Sequence, residues 1–168
     1  MSSATPAFDF EKARFNMIEQ QIRPWEVLDA QVLDLLGQLQ REQFVPTAHQ
    51  ALALADMEIP LGHPAVEGEC LLAPKVEARA LQDLALQPTD RVLEIGTGSG
   101  YMAALLGKLC AQVLTLEINP TLAEQARARL AQAGLTNVDV KTADAAAQGF
   151  VACASGAPYD AIVLSGSV

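Results

Sequence analysis

A chain of 168 residues, 51% apolar and 18% charged, is long enough for one domain with its own core and carries no charge run or repeat that would suggest disorder. A formal net charge of −9 and a pI near 4.6 argue against a nucleic-acid ligand, which asks for a basic face, and against an anionic membrane surface. The start, MSSATPAFDFEKARF, has no apolar core behind a basic end, and every apolar stretch breaks well short of the ~20 residues of a membrane span, so neither a secretory signal nor a membrane helix is expected. Cys70, Cys110 and Cys153 are far apart and not at metal spacing, which points to free thiols in a reducing cytosol and to no metal site.

In chain order, Phe10, Ala13, Met17, Ile18 and Ile22 form a loose helical stripe that should stop at RPW, where Pro24 disfavours helix at Arg23. Asp29 can cap a second short helix over Val32, Leu33, Leu35 and Leu36. Residues 44–74, rich in Pro and Gly, predict loops, a short helical piece and a small ribbon. His49 and His63 face no acid or nucleophile at a telling distance, and Trp25 beside Pro24 is expected to anchor the N-terminal arm. From Pro74 the pattern becomes regular. A helix from Pro74 or Lys75 carries Val76, Ala80, Leu81 and Leu84 and ends before Pro88. RVLEI predicts a buried strand, and the helix from Tyr101 has Met102, Leu105, Leu106 and Leu109 on one face, with Cys110 at its end as a small core residue. QVLTLEI is a second strand, a helix capped by Asn119 and Pro120 runs to Gly134, NVDVKT is a third strand, and YDAIVLSG a fourth after an Ala-rich connector. Strand and helix in alternation predict an α/β fold: a parallel sheet with helices on both faces and an N-terminal helical extension. Residues 1–73 then form the extension and lid region and 74–168 the α/β domain, the two making one structural unit.

RVLEIGTGSGY, residues 91–101, carries the first chemical signal. A Walker loop needs Gly-Lys where Tyr101 and Met102 stand, and the dinucleotide fingerprint needs a third glycine at Tyr101. Both fail. What stands is an acid followed by alternate glycines: Glu94, Gly96, Gly98 and Gly100, a turn that brings backbone close to a ligand at the carboxyl end of the first strand. The loop has no cation for phosphate. Glu117, ending the second strand, suits both hydroxyls of a ribose, and Asp144 follows the third strand at the same rim. A ligand with a ribose, an adenine amino group and cationic ammonium and sulfonium centres satisfies these carboxylates. S-adenosylmethionine is that ligand.

These residues also carry a family resemblance. VLEIGTGSGYMAALL resembles the first motif of protein L-isoaspartyl O-methyltransferases nearly residue for residue. REQFVP resembles the segment before their substrate loop, MEIPLGH their Pro-Leu-Pro-Ile-Gly turn, LTNVDVKTADAAAQG their third-strand region and APYDAIVLSGSV their fourth strand. The resemblance runs from about Leu33 to Val168 and implies a Rossmann-like S-adenosylmethionine-dependent methyltransferase. It further implies methylation of L-isoaspartyl carboxylates in proteins or peptides, the start of repair of aged proteins. Carried over by position, Glu94, Gly96, Thr97, Gly98 and Gly100 would line the cofactor, Glu117 with Ile118 would hold the ribose, and Asp144 with Ala145 would face the adenine.

Two departures stand out. The family's Gly-Gln-Thr-Ile-Ser-x-Pro loop reads Gly68-Glu69-Cys70-Leu71-Leu72-Ala73-Pro74, so Cys70 and Leu72 replace both hydroxyls, Leu72 at the position of the serine usually assigned to catalysis. Glu69 adds negative charge near an anionic acceptor. Sheets of this kind usually have seven strands and this chain carries four, so AIVLSGSV is expected to be an unpaired edge that self-associates or is covered by further chain. A small-molecule methyltransferase with a reshaped acceptor pocket, and a cofactor-binding protein without turnover, are the competing expectations.

Overall fold

A computed structural model describes residues 8–62, 68–148 and 156–166; His63, Cys153 and the last residues of AIVLSGSV fall outside these. Asp9 opens helix α1 (Phe10–Met17) by accepting the Lys12 N–H at 3.0 Å. The helix continues as a π turn over Ile18–Ile22 and a 3-10 turn over Arg23–Trp25. Arg23 is therefore helical, with φ −58° and ψ −41°, contrary to the expectation drawn from Pro24. The π turn is the cause: the Arg23 N–H bonds to Ile18 O, so the ladder has already left α register before the proline ring could strike it. Asp29 caps helix α2 (Ala30–Gln38) by accepting the Val32 N–H at 3.0 Å. The segment beyond it holds 3-10 turns at Arg41–Phe44 and Thr47–Leu52 and a two-residue antiparallel ribbon, β1 (Ile59–Pro60) with β2 (Cys70–Leu71).

Helix α3 (Pro74–Leu84) buries Pro74, Glu77, Ala78 and Leu81, whereas Val76 is exposed. The expected stripe is thus rotated toward Glu77. An apolar-face argument puts charge outside; here Arg41 pairs with Glu77 in the interior and draws that face inward.

The remaining elements are β3 (Arg91–Ile95), α4 (Tyr101–Leu109), β4 (Gln112–Glu117), α5 (Pro120–Gln132), β5 (Val138–Thr142), α6 (Ala145–Gln148) and β6 (Ala161–Leu164). The four long strands are parallel in the order β5-β4-β3-β6. Side-chain parity divides the sheet. Val92, Val113, Val140 and Val163 join a core with Leu105 and Leu106 of α4 and with Met17, Ile22, Leu36 and Phe44 of the N-terminal segment. Each such side chain contributes roughly 1.5–3 kcal/mol by leaving water, and both halves of the sequence share this one cluster. Leu93, Leu114 and Leu116 point the other way, where Ala143, Ala145 and Tyr159 pack on them. Because α4 lies between sheet and N-terminal helices, it is buried on every side except at Lys108.

Among the described residues β6 pairs only with β3, and its Ile162 and Leu164 are 58% and 62% exposed. The chain order reverses at β3, which has β4 on one side and β6 on the other, and this is where sheets of this type bind ligands.

Candidate functional site

At the carboxyl ends of the strands lies a cavity of about 430 Å³, with Leu61, Gly68, Glu69 and Cys70 of the β1–β2 ribbon and its flanks on one wall. That volume is in the range of small-molecule sites. Gly96 and Gly98 after β3, Glu117 and Ile118 after β4, and Asp144 and Ala145 after β5 all line it, so the structure brings these sequence-predicted residues together. No Lys or Arg is among its described lining residues, and the acids Glu69, Glu117 and Asp144 are. Such a wall repels phosphate and favours a cation or hydroxyl donors.

Each acid is held by its own local structure. Glu117 is 6% exposed; its Oε2 accepts the Gly98 N–H at 2.7 Å and its Oε1 the Asn119 N–H at 2.9 Å. The glycine loop and the start of α5 thereby orient one carboxylate, which keeps further lone pairs for a diol. Asp144 Oδ1 accepts from the Ala146 and Ala147 N–H groups, both at 2.9 Å, so this residue also caps α6. Glu69 Oε1 accepts from Asn119 Nδ2 at 2.8 Å, while Asn119 Oδ1 caps α5. The charge of Glu69 thus ties the ribbon to α5 at the cavity wall.

Other expected residues lie elsewhere. Gly100 caps α4 with φ +87°, and a Cβ there would press on Ala126 Cβ at 3.2 Å; its role is close packing of α4 on α5. Tyr101, in the place of a dinucleotide fold's third glycine, turns away from the sheet to pack edge-on against Phe44, ring centroids 5.4 Å apart. Thr97 and Glu94 sit behind the loop. Glu94 is fully buried and was expected to face the cofactor; instead its Oε2 accepts from Thr115 Oγ1 at 2.7 Å and its Oε1 from Ser165 Oγ at 2.9 Å. Thr115 Oγ1 in turn lies 2.6 Å from Thr97 Oγ1. The physical reason is register: Glu94 stands opposite Thr115 in the β3–β4 ladder, on the face that α3 and α4 cover. Leu72 does not line the main cavity. It borders a small adjoining crevice of about 20 Å³ with Glu77, Glu94, Met102 and Ser165.

Burial pushes the Glu94 carboxyl up to about 8; the Thr115 and Ser165 hydrogen bonds oppose this, and Glu77 and Glu117 add to it. Between the ordinary glutamate value and 8 the folded chain therefore holds a proton that the unfolded chain has lost. The stability this proton confers is complete below the unfolded value and declines as pH rises through 8, by about 1.4 kcal/mol per pH unit for a single group. Glu94→Gln, which cannot ionise, is expected to flatten the slope of stability between about pH 5 and about pH 8 in urea unfolding. An unchanged slope would mean that Glu94 is charged in the folded chain.

Arg41 is the structural residue that the sequence did not single out. Fully buried, it pairs with Glu77, donates to the Leu72 carbonyl, donates to Ala53 O at 2.8 Å and lies 4.8 Å over the Tyr101 ring. One guanidinium joins the Thr47–Leu52 region, the lid segment, α3 and α4. The same burial raises the Glu77 carboxyl, with Arg41 opposing. Thr115 was detectable as a polar break in an otherwise apolar strand, directly across from the polar break at Glu94. Ser165, which lines both cavity and crevice, had no local signal beyond its place at a strand end.

A parallel sheet of this order, with an alternate-glycine turn after its first strand and acids at the ends of the next two, is a Rossmann-like α/β fold. Solved structures agree on the fold: a protein-L-isoaspartate O-methyltransferase superposes with TM-score 0.72 at 21% identity over 94% of this chain and 48% of that one. A beta-aspartate methyltransferase structure from Plasmodium falciparum, in complex with S-adenosyl-L-homocysteine, gives 0.70 at 18% identity over 93% and 72%. The family model for protein-L-isoaspartate(D-aspartate) O-methyltransferase matches residues 12–168, and the chain belongs to that family. Curated relatives include protein-L-isoaspartate O-methyltransferases of Methanoculleus marisnigri, 40% identical over 92% of this chain, and Koribacter versatilis, 38% identical over all of it. The chain spans 66% and 72% of the length of these two relatives.

Proposed function

We propose that this chain binds S-adenosylmethionine in the strand-end cavity and serves methyl transfer to the carboxylate of L-isoaspartyl residues in proteins or peptides. The observation that carries this reading is the Glu117 carboxylate, oriented by two backbone N–H groups in one acid-lined cavity with Asp144 and no described cation. Glu117 would hold the ribose hydroxyls, Asp144 with Ala145 the adenine, and the Gly96–Gly98 backbone the amino-acid portion. When bound, the cofactor supplies an electrophilic methyl group: an acceptor oxygen forms the new O–C bond as the S–C bond breaks, and the sulfur keeps the electron pair. No proton moves, because a free carboxylate with a reference pKa of about 4 is already ionised. The chain's own task is alignment and exclusion of water.

The apolar lid fits that task. Leu72 and the partly covered Cys70 stand where the family's hydroxyls would, and burial and Glu58 raise the Cys70 thiol. The test is transfer of a radiolabelled methyl group to an isoaspartyl peptide beside its aspartyl isomer and a panel of small carboxylic acids. Label in the isoaspartyl peptide alone supports the reading; label in a small acid alone favours the small-molecule alternative.

The protein works in the cytoplasm, in keeping with a thiol-bearing chain in which no described helix is long and apolar enough to cross a membrane. Among the described residues β6 pairs on one side only, and Ile162 and Leu164 leave an apolar sheet face exposed beside that open edge, so the chain self-associates there. Light scattering is expected to show species above the monomer mass, and Ile162→Lys with Leu164→Glu to return a monomer; a monodisperse wild-type monomer would contradict this.

A further inference from the structure

We propose that Ser165, at the carboxyl end of β6, supplies the hydroxyl that the 70–72 lid segment lacks, donating a hydrogen bond to the acceptor carboxylate in the cavity, at the mouth of the crevice that Leu72 borders. The inference rests on the methyltransferase reading above. Three observations support it. Ser165 borders both the cavity and the small crevice that Leu72 borders, so it stands where the two meet. Its backbone is fixed, the N–H bonding to Ile95 O at 2.9 Å. Its Oγ ends a chain of polar groups running Thr97, Thr115, Glu94, Ser165 through the interior.

That chain decides where the Ser165 proton points. Each hydroxyl has one proton to give. Thr115 gives its own to Glu94 Oε2. Ser165 Oγ, 2.9 Å from Glu94 Oε1, donates to that oxygen when the carboxyl is ionised; once Glu94 is neutral its proton sits on Oε1, the bond reverses, and the serine O–H is left for a ligand. The groups acting on Glu94 are Glu77 from α3 and Glu117 and Thr115 from β4, with Ser165 itself; the two acids favour its neutral form, as does its burial. A neutral Glu94 also spares an incoming carboxylate a repulsive neighbour. The bond would fall on the acceptor oxygen that becomes the ester carbonyl, turning the other oxygen toward the methyl group. Since negative charge on the carboxylate declines during transfer, Ser165 acts by binding and orienting the acceptor.

The test uses calorimetry on the intact chain loaded with S-adenosyl-L-homocysteine and titrated with an isoaspartyl peptide. A hydrogen bond to a charged group predicts that Ser165→Ala weakens peptide binding by roughly 10- to 100-fold, while affinity for S-adenosyl-L-homocysteine stays within about twofold of wild type. Ser165→Thr is expected to bind peptide as wild type does. Peptide affinity of the wild type should fall as pH rises through 8, and Glu94→Gln, whose amide can donate to Ser165 at any pH, should abolish that fall. Undiminished peptide binding by Ser165→Ala, with S-adenosyl-L-homocysteine bound normally, overturns the inference and leaves the methyltransferase reading intact. Equal losses of both ligands would assign Ser165 a purely structural role and also overturn it. A wild-type chain that binds no S-adenosyl-L-homocysteine, or binds it and takes no peptide, defeats the underlying reading and the inference with it.

Discussion

Replacing Arg41 by Ala is expected to destabilise the fold by about 3–5 kcal/mol, because it strands the buried carboxylate of Glu77 without its partner. Arg41 and Glu77 are 0% and 2% exposed, so water cannot take the place of the guanidinium. The variant also loses the donors to the Ala53 and Leu72 carbonyls and the cation over Tyr101. Against a total stability of about 5–15 kcal/mol for an ordinary domain, that loss takes much of the margin. The double variant Arg41→Met, Glu77→Met should recover most of it, since an apolar pair of similar volume avoids desolvating either charge. Urea unfolding of the three proteins separates pairing from packing. An Arg41→Ala midpoint equal to wild type would contradict the account of this core, as would a double variant no better than the single one.

Gly96→Ala is expected to be comparably damaging, for a different reason. A Cβ at this position would fall against the backbone N and Cα of Gly166, the latter at 2.5 Å, and the residue has φ +95°. Both obstacles are backbone, so relief requires the ends of β3 and β6 to part, opening the cavity they frame. Gly134→Ala is the control: φ is +70° and nothing lies within 4 Å of where its methyl group would sit. Left-handed strain alone should lower stability there by about 1–2 kcal/mol. Gly96→Ala should lose several kcal/mol together with affinity for S-adenosyl-L-homocysteine. Equal, small effects at both positions would show that the two strand ends are not in contact.

Much of this architecture was legible because its signals are local. Asp29 and Asn119 cap the helices expected of them, and the alternation of RVLEI, QVLTLEI and NVDVKT with helices dictates the parallel sheet. The rim residues Gly96, Gly98, Glu117 and Asp144 were legible because each ends or follows a strand, and a parallel sheet brings strand ends to one edge. What stayed hidden depends on contacts distant in sequence. Arg41 meets Glu77 across 36 residues and Ser165 meets Glu94 across 71, and no spacing rule reports such pairs. Glu94 reads from sequence as a ligand-facing acid because it precedes the glycines; only the β3–β4 register turns it toward Thr115 and the interior. Val76 misled in the opposite sense, since the face it shares is outward once Glu77 is drawn in.

The central claim, that the strand-end cavity is built for S-adenosylmethionine, is tested most directly by calorimetry with S-adenosyl-L-homocysteine, NAD and ATP on the wild-type chain and on Glu117→Ala. One site for S-adenosyl-L-homocysteine is expected, with no measurable heat from NAD or ATP and a loss in the variant of roughly 1.5–3 kcal/mol for each ribose hydrogen bond removed. Unchanged affinity in Glu117→Ala, or binding of NAD or ATP in preference to S-adenosyl-L-homocysteine, would contradict it.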